Sequence, residues 1–410
     1  MPPAAHNADE DDRHFPYWRR NLRVIPLSNL LASLGFNLAW PFLPLMVRGL
    51  GVEKNLETWV GNMMLTFYVV SFVMNPIWGG IADHYGRKIM VLRATLGMGA
   101  CMSLLAFAPS PLWFAFLIMF IGVFNGATAA GLTLLVANTP PRRLGRVLSL
   151  AQTGTLTGQT MGPAVGAVLA AVVDREHSLF WIAGGLLLFG GALVAAYVGE
   201  VKQLAPGPWR LQWLGPLRAL LKVPKLGLLY LWSFVFAMLW SGNVPIMSLY
   251  TLDLVAAQPG SAGTEAYWVG AVAFALGVSG LIAMPLWGRA LDRYDPARVL
   301  ALAAGAAALS HVPLLFIETP LQLALARAAF GLSAGAMQPA IIRLLKKHAP
   351  PGMDARAISY AASFQFMAMG VAPFVAGLVG PVLGLRAYFA LTIALTVASL
   401  WLWLRNNRTP

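Results

Sequence analysis

The side chains that could carry protons or bind ions are scarce in the apolar parts of this sequence. Of the 410 residues, 58% are hydrophobic and 11% are charged, whereas a soluble domain carries about 25% charged residues. All sixteen carboxylates fall in polar segments or near the ends of apolar stretches. Two basic residues, His311 and Arg327, lie deeper inside such stretches. A histidine titrates near neutral pH and can transfer protons, and a charge in apolar surroundings usually faces a cavity or a partner.

Four residues are therefore candidates for coupling proton or ion movement to another process: Asp83, Asp253, His311 and Arg327. Buried carboxylates are the usual proton carriers inside a membrane, and none lies in the middle of an apolar stretch. Proton coupling could therefore use the acids at helix ends or His311. It could also be unconventional, or be absent. Arg327 could equally bind an anion or donate hydrogen bonds to backbone carbonyls or amide side chains. His311 could instead be a hydrogen-bonded packing residue.

The elements that must position these residues are membrane-spanning helices. Apolar runs of about twenty residues recur along the chain, each long enough to cross a bilayer core of about 30 Å as a helix, and the mean hydropathy is +0.67. We predict twelve spans, at residues 22–47, 58–82, 89–108, 111–137, 146–172, 178–199, 226–252, 266–289, 297–317, 321–345, 358–380 and 384–404. Cys101 is the only cysteine, so the sequence predicts neither an internal disulfide nor a Cys/His metal site. We expect no metal and no other cofactor.

The distribution of basic residues predicts how the chain is oriented. The formal net charge is +13, and 24 of the 29 lysines and arginines fall in the tails, in the loops that are cytoplasmic if both termini are cytoplasmic, or at the span ends that border those loops. This is the positive-inside pattern of membrane proteins. We therefore expect a multi-pass protein of the cell inner membrane with both termini in the cytoplasm, and no binding of nucleic acid. The N-terminal residues lack the short apolar core of a signal peptide.

A repeat divides the chain into two halves. Residues 59–85 and 268–294 align without a gap at an offset of 209, and 9 of the 27 positions are identical. Two similar helix bundles that rock about a site at their interface are typical of secondary transporters. The sequence contains no phosphate-binding loop of the kind that would point to the use of ATP. No catalytic residues of an enzyme are evident. The predicted organisation is a disordered tail at 1–21, a six-helix bundle at 22–199, an amphipathic cytoplasmic linker at 200–225, a second six-helix bundle at 226–404 and a tail at 405–410.

The motif WGGIADHYGRK, residues 78–88, joins the second and third predicted spans. It closely resembles the cytoplasmic signature of the major facilitator superfamily, and a degenerate second copy lies at 288–298. The resemblance implies an all-α integral membrane fold of twelve transmembrane helices in two pseudo-symmetric six-helix bundles. It also implies a gate that locks the outward-facing state, carried by Gly79, Asp83, Gly86, Arg87 and Lys88. Gly79 would let helices approach closely, and Gly86 would allow a tight turn. The alternative to a gate is a loop that only fixes the topology.

Glycines recur at every fourth position of the fifth predicted span. The motif consists of Gly154, Gly158, Gly162, Pro163 and Gly166. This spacing places the first three glycines on one helix face, where a neighbouring backbone can come close, and the proline can bend the helix. A generic packing face is the alternative. The full pattern resembles the span-five signature of the drug/proton antiporter branch of the superfamily, and the chain is most similar to twelve-span bacterial multidrug efflux permeases.

This resemblance implies transport by alternating access, with proton-coupled efflux of lipophilic or amphipathic small molecules and the proton gradient as the energy source. The protein would contact its small-molecule substrate and membrane lipid, without ATP, as a monomer. The sequence departs from this branch in span four. Many such antiporters carry an arginine there that is linked to proton movement, whereas residues 94–141 of this chain contain no charged residue. The alternative is an exporter or facilitator of an organic anion or metabolite, such as a siderophore, that uses Arg327 with unconventional or no proton coupling. A receptor that has lost transport is a third possibility.

Amide and aromatic residues from several spans are the candidates for a neutral substrate cavity. Each of them could equally be a helix–helix contact. Together with Arg327, the candidates are Asn37, Trp40, Tyr68, Asn125, Trp240, Asn243, Gln338 and Gln365. We favour the segments 37–41 and 241–245, because each places polar groups beside a proline in the first helix of a half, where gating helices break.

Overall fold

The computed structural model of the chain describes residues 15–140, 143–172, 177–201, 218, 220–260, 263–350 and 353–406. Some side chains within these ranges lie outside the description, and that of Asp83, a gate and coupling candidate, is one of them. The predicted tails and much of the linker at 200–225 also lie outside the described residues. Every regular element in the described ranges is helical, which confirms the predicted fold class.

The first half of the chain forms six helical spans. Their bounds are Trp18–Ala39, Trp40–Phe42 and Leu43–Gly49 for span one, Leu56–Tyr85 for span two, Arg87–Leu105 for span three, Pro111–Phe124 and Ala127–Ala137 for span four, Leu144–Val172 for span five, and His177–Tyr197 for span six. Span four begins with a serine cap: Ser110 Oγ accepts a hydrogen bond from the backbone N–H of Trp113 at 3.3 Å, and Pro111 occupies the first helical position. Both features are typical of helix N-termini.

The second half forms six further spans. Their bounds are Pro224–Ala237, Met238–Gly242 and Val244–Ala256 for span seven, Glu265–Arg293 for span eight, Pro296–His311 and Val312–Leu315 for span nine, Pro320–Ala334 and Met337–His348 for span ten, Asp354–Leu383 for span eleven, and Leu385–Asn406 for span twelve. Span ten begins with a capping box, in which the side chains of Thr319 and Gln322 each accept a hydrogen bond from the other's backbone N–H. Local capping therefore agrees with the predicted starts of these helices.

Eleven spans of the described residues are long and apolar enough to cross a membrane. Span five is outside this set, although its helix of 29 residues is long enough. Its apolar residues alternate with polar ones such as Gln152, Gln159 and Thr160. These polar residues lower the mean hydropathy of the helix.

Spans one, four, seven and ten are interrupted. Span one breaks at Trp40–Phe42 and span seven at Met238–Gly242, which confirms the breaks expected beside prolines in the first helix of each half. The continuous helices predicted over 111–137 and 321–345 are wrong. Span four breaks at Asn125–Gly126, where Gly126 has a φ of +110° that interrupts the helix. Span ten breaks between Ala334 and Met337.

The described chain divides into two compact units. Unit 1 comprises Met1–Ala39, Val73–Gly162 and His177–Leu211, and unit 2 comprises Trp40–Phe72, Pro163–Glu176 and Gln212–Pro410. Spans one, two and five contribute residues to both units, so the units do not coincide with the two halves of the sequence. The boundaries at 22–199 and 226–404 stay predictions.

Unit 1 depends on close contacts among spans one, three and six. A Cβ atom at Gly35 would lie 2.7 Å from the carbonyl oxygen of Ala183, and one at Gly184 would lie 2.6 Å from the carbonyl oxygen of Gly99. Helix backbones approach this closely only at very small residues. Span six therefore packs against both spans one and three through its small residues.

Unit 2 has its core among spans seven to twelve. Its largest fully buried side chains include Trp232, Tyr230 and Phe330. Spans eight and ten approach closely, since a Cβ atom at Gly331 would lie 2.7 Å from the carbonyl oxygen of Leu276. The bulky and the small residues together give this unit a dense interior.

The internal repeat recurs as two matching hydrogen bonds, one in each unit. Trp78 Nε1 donates to the carbonyl oxygen of Val123, and Trp287 Nε1 donates to that of Leu332, both at 2.7 Å. Both donors and both acceptors are related by the offset of 209 found in the sequence. Each acceptor lies in the last helical turn before the break of span four or span ten, so the repeat preserves the way in which a tryptophan contacts a helix break.

Candidate functional site

The glycine face of span five lies against span one within unit 1. The distances from an added Cβ atom to span-one backbone atoms are 2.6 Å for Gly154 (oxygen of Pro26), 2.6 Å for Gly158 (nitrogen of Leu34) and 2.9 Å for Gly162 (carbonyl carbon of Asn37). Main-chain atoms cannot rotate aside as a side chain can. This contact therefore needs glycine at all three positions.

The remaining residues of this motif belong to unit 2. The carbonyl oxygen of Pro163 would lie 2.9 Å from a Cβ atom at Gly270 of span eight. Gly166 is buried. Pro163 lies inside a continuous helix, so it does not end span five. The motif thus combines a contact with span one and a contact with span eight.

The gate motif is almost entirely helical, which corrects the predicted loop between spans two and three. Span two continues to Tyr85 and span three begins at Arg87, so Gly86 alone connects them. Gly86 has a φ of +105°, a conformation that residues with a side chain rarely adopt. The close approach expected at Gly79 is wrong for the described structure, because a Cβ atom there would meet nothing within 4 Å.

Glu200 caps the start of span three, a role that the sequence did not predict. Its Oε1 accepts a hydrogen bond from the backbone N–H of Arg87 at 2.6 Å, and its Oε2 accepts one from that of Lys88 at 3.0 Å. Lys88 Nζ also donates to the carbonyl oxygen of Ala195 in span six at 2.9 Å. A carboxylate at a helix N-terminus pairs with otherwise unbonded N–H groups and interacts favourably with the helix dipole. The position of Glu200 just after span six was the only signal for this role.

We expect Glu200→Ala to lower the free energy of unfolding by about 0.5–2 kcal/mol, the usual effect of removing a helix N-cap. The reason is that the N–H groups of Arg87 and Lys88 lose their acceptor. Because Glu200 is partly exposed, solvent screening places the effect near the lower end. The measurement is the thermal unfolding midpoint of the detergent-purified protein, compared with Glu53→Ala, which changes an exposed glutamate. Equal midpoints for the two variants would contradict the capping role.

Span three supplies an arginine to the break in span four. The guanidinium of Arg93 donates to the carbonyl oxygens of Val123 at 3.1 Å and Asn125 at 3.3 Å. Its central carbon lies 4.1 Å from the centre of the Trp78 ring, and Trp78 donates to the same Val123 carbonyl. Carbonyls at a helix end lack backbone partners. Sequence reasoning missed Arg93 because it precedes the charge-free stretch 94–141 by one residue.

Asn37 and Asn125 lie in unit 1 and bond to nearby backbone. Asn125 Oδ1 accepts a hydrogen bond from the N–H of Gly126 at 2.8 Å. Asn37 Nδ2 donates to the carbonyl oxygen of Ser33 at 2.8 Å. The other cavity candidates belong to unit 2. These two amides thus stabilise the break in span four and the end of the span-one helix.

Four aromatic rings of spans one, two and eleven form a row in unit 2. The ring centres of Trp40 and Phe67 are 4.9 Å apart, those of Phe67 and Tyr68 are 4.8 Å apart, and those of Tyr68 and Phe366 are 6.2 Å apart. Trp40 is buried, whereas Tyr68 and Phe366 are half-buried. Such rings offer apolar surface and π faces to aromatic or cationic groups.

Gln338 and Gln365 form a polar contact between spans ten and eleven. Gln365 Nε2 donates to Gln338 Oε1 at 2.6 Å. Both side chains are half-buried. A primary amide has further donors and acceptors, so this pair can also bind a neutral polar group.

Arg327, His311 and Trp240 surround the ring of Phe330. The central guanidinium carbon of Arg327 lies 5.1 Å from the ring centre, the imidazole of His311 meets the ring edge-to-face at 4.6 Å, and the indole of Trp240 lies at 5.8 Å. Tyr388 lies close to Arg327, and its hydroxyl donates to Asn243 Oδ1 at 2.7 Å. The structure therefore brings these candidates together on spans seven, nine, ten and twelve.

Asp253 lies near the C-terminal end of span seven, close enough to Glu57 for the two carboxylates to repel each other. Glu57 belongs to the first turn of span two. The next residue, Thr58, donates through Oγ1 to the carbonyl oxygen of Gly377 in span eleven at 2.8 Å. Asp253 is exposed and Glu57 is half-buried. This end of unit 2 therefore holds two acids beside a contact between spans two and eleven.

The described residues contain no group of three or more His, Cys, Asp or Glu side chains that could hold a metal ion. The chemistry offered by the arrangement is instead apolar and π contact, amide hydrogen bonding and one buried cationic cluster. These are the elements of binding a small organic solute.

Matches to known proteins extend over nearly the whole chain. The sequence profile of the Major Facilitator Superfamily matches residues 27–259 and 233–410. The protein named "Multidrug resistance protein MdtG" in Enterobacter lignolyticus is 32% identical over 378 residues, which are 92% of this chain and 89% of that protein. The protein of the same name in Serratia proteamaculans is 32% identical over 398 residues, which are 96% of this chain and 95% of that protein.

A solved structure has a similar fold. The crystal structure of the peptide transporter POT in complex with sulfate superposes with a TM-score of 0.78, at 15% sequence identity, and the match covers 98% of each chain. At this identity the likeness concerns the fold alone.

Proposed function

Because this chain belongs to the major facilitator superfamily, we propose that it exports lipophilic or amphipathic small molecules in exchange for protons. The observation that carries the proposal is its 32% identity, over 92% and 96% of its length, to proteins named for multidrug resistance. Its family and its apolar helices make it a secondary transporter and a multi-pass protein of the inner membrane. The proposal adds the substrate class, the proton coupling, the cytoplasmic termini and a monomeric state.

The aromatic row of unit 2 supports lipophilic substrates. Trp40, Phe67, Tyr68 and Phe366 present rings rather than charges. Apolar rings bind many flat or cationic compounds without requiring one hydrogen-bonding pattern, so selectivity is broad. The half-buried pair Gln338–Gln365 can add a neutral polar contact.

Contacts at one end of unit 2 support alternating access. A Cβ atom at Gly61 would lie 2.6 Å from the carbonyl oxygen of Pro373, and one at Gly377 would lie 2.6 Å from that of Glu57. These contacts join span two of the first half to span eleven of the second. With both termini in the cytoplasm this end faces outward, so the contacts must separate whenever the transporter opens to the outside.

Asp253 and Glu57 are the proposed proton carriers at this end. Two carboxylates that repel each other beside a closed contact disfavour closure while both are ionised. Binding of a proton by one of them would favour closure, and release would favour opening. A proton taken up outside could therefore drive the return of the empty transporter, which is the step that antiport requires.

The test uses purified protein in proteoliposomes with an imposed pH gradient, acidic inside, and ethidium as the lipophilic cation. We expect ethidium to accumulate in the lumen and the accumulation to stop when nigericin dissipates the gradient. Asp253→Asn should lose most of the accumulation driven by the gradient but keep exchange of ethidium at equal pH, because that exchange needs no proton. Glu53→Gln, at an exposed glutamate, should behave as the wild type.

Uptake that nigericin leaves unchanged would contradict proton antiport.

The second candidate function, export of an organic anion, is favoured by the buried Arg327, whose Nη1 has no hydrogen-bond partner among the described residues. The same proteoliposomes distinguish the two functions. Transport of carboxyfluorescein without a pH gradient, and no transport of ethidium, would favour the organic anion.

A further inference from the structure

A buried cluster of hydrogen-bonding side chains lies inside the second half of the chain. Arg327 is 2% exposed, His311 is 1% exposed and Asn243 is 0% exposed. Arg327 and His311 contact the ring of Phe330, and Arg327 lies close to His311 and Tyr388. These side chains come from spans ten, nine, seven and twelve, so no local feature of one helix creates the cluster.

Each of three side chains in the cluster has a buried polar atom without a partner in the described part of the chain. These atoms are Arg327 Nη1, His311 Nε2 and Asn243 Nδ2. Leaving a buried hydrogen-bonding group unsatisfied costs about 1–3 kcal/mol, and more if it is charged. Three such atoms in one cluster indicate a shared ligand better than three separate defects of packing.

The geometry assigns donor roles to two of these atoms. The Tyr388 hydroxyl donates to Asn243 Oδ1 at 2.7 Å, which orients the amide so that Nδ2, a donor, points elsewhere. Arg327 has only donors. His311 Nδ1 lies 3.0 Å from the carbonyl oxygen of Ala307, so Nδ1 carries a hydrogen, and Nε2 becomes a donor only when the ring is protonated.

The charge of the cluster is positive, and among the described residues no acid forms an ion pair with Arg327. The ion pairs formed by described residues of span ten, Arg343–Asp292 and Lys347–Asp295, involve other cations. A buried cation without an anionic partner is costly. Asn243 also directly precedes the helix Val244–Ala256, and helix N-termini attract anions.

We infer that Arg327 and Asn243 bind a monovalent anion beside Phe330, the ring that His311 also contacts. Its chemistry is that of a small acceptor with one negative charge, either a free inorganic anion such as chloride or the carboxylate of an organic acid. Arg327 Nη1 and Asn243 Nδ2 donate to it, and Arg327 balances its charge. The inference does not depend on the proposed efflux, because it concerns binding at equilibrium.

The experiment measures the thermal unfolding midpoint of the purified full chain in detergent. Sodium chloride and sodium benzoate are titrated separately against sodium sulfate of equal ionic strength. Binding to the folded state raises the midpoint with ligand concentration. A rise with chloride alone identifies a free inorganic anion, a rise with benzoate alone identifies a carboxylate, and a rise with both identifies a site open to either; each result supports the site.

Two variants and a control locate the binding. Arg327→Gln should abolish the rise, and Arg327→Lys, which keeps the charge with fewer donors, should weaken the apparent affinity about tenfold, the effect of losing a charge-assisted hydrogen bond. Arg343→Gln removes an arginine of the same span that pairs with Asp292 and should keep the wild-type rise. No rise with either anion in the wild type, or an equal rise in the wild type and in whichever Arg327 variant folds, would overturn the inference.

Discussion

Gly158→Leu is expected to abolish ethidium transport and to lower the yield of folded protein. A Cβ atom at this position would lie 2.6 Å from the backbone nitrogen of Leu34 and 2.7 Å from the carbonyl oxygen of Leu30. Both are main-chain atoms of span one, so the side chain can be accommodated only if spans one and five separate. Inserting extra carbons into a packed interior costs about 1–3 kcal/mol or more. Transport in proteoliposomes and the amount of protein recovered in the membrane are the measurements.

The control for this variant is Gly185→Leu. Gly185 lies in span six, and a Cβ atom there would meet nothing within 4 Å, so leucine at 185 should leave transport and yield unchanged. Gly158→Ala should fall between the wild type and Gly158→Leu, because it adds the first atom that meets span one. Wild-type transport by Gly158→Leu would show that spans one and five do not pack at Gly158 in the working protein.

Arg93→Gln is expected to lower both transport and thermal stability. The guanidinium of Arg93 donates to two carbonyls at the end of the first helix of span four and lies over the ring of Trp78. Hydrogen bonds from charged groups contribute about 1.5–3 kcal/mol, and a desolvated cation–π contact about 2 kcal/mol. Because these contributions overlap, we expect the substitution to lower the free energy of unfolding by about 2 kcal/mol. The measurements are the unfolding midpoint and the initial rate of ethidium uptake.

A double-mutant cycle distinguishes this arrangement from a general effect of removing charge. Trp78→Phe keeps the aromatic ring but removes the Nε1 donor to Val123, and Arg93 shares that acceptor. The two substitutions should therefore be non-additive, with an interaction energy of about 0.5–3 kcal/mol. Arg405→Gln is the control, because Arg405 also lies near a tryptophan ring, at 5.4 Å, but is exposed at the end of span twelve. Strict additivity, or an equal effect of Arg405→Gln, would contradict the role of Arg93.

The breaks in spans four and ten have the same geometry but are surrounded by different side chains. Trp78 and Trp287 make equivalent hydrogen bonds to the ends of interrupted helices. The residue that corresponds to Arg93 at the offset of 209 is Leu302, which cannot donate. The repeat therefore preserves the geometry of the breaks, whereas the position that corresponds to Arg93 holds an uncharged residue in the second half.

The sequence by itself determined the membrane-spanning helices, the internal repeat and the superfamily. Hydropathy over about twenty residues is a local property, and the bilayer makes it decisive, because a backbone in hydrocarbon must satisfy its own hydrogen bonds. The glycine spacing at 154, 158 and 162 is equally local, since a period of four places residues on one helix face. The breaks near Pro41 and Pro245 could be predicted because proline has no backbone N–H to donate and so interrupts the hydrogen bonding of a helix.

Only the tertiary structure decided which polar groups meet. Glu200 and Arg87 are far apart in the sequence, and so are Arg93 and Asn125; their contacts depend on which spans pack against each other. The cluster at Phe330 draws on four spans, and neither Tyr388 nor its hydrogen bond to Asn243 could be inferred from a pattern along one helix. Apolar helices are chemically alike along their faces, so the sequence specifies that they pack, whereas the close fit of small and large side chains selects the partners.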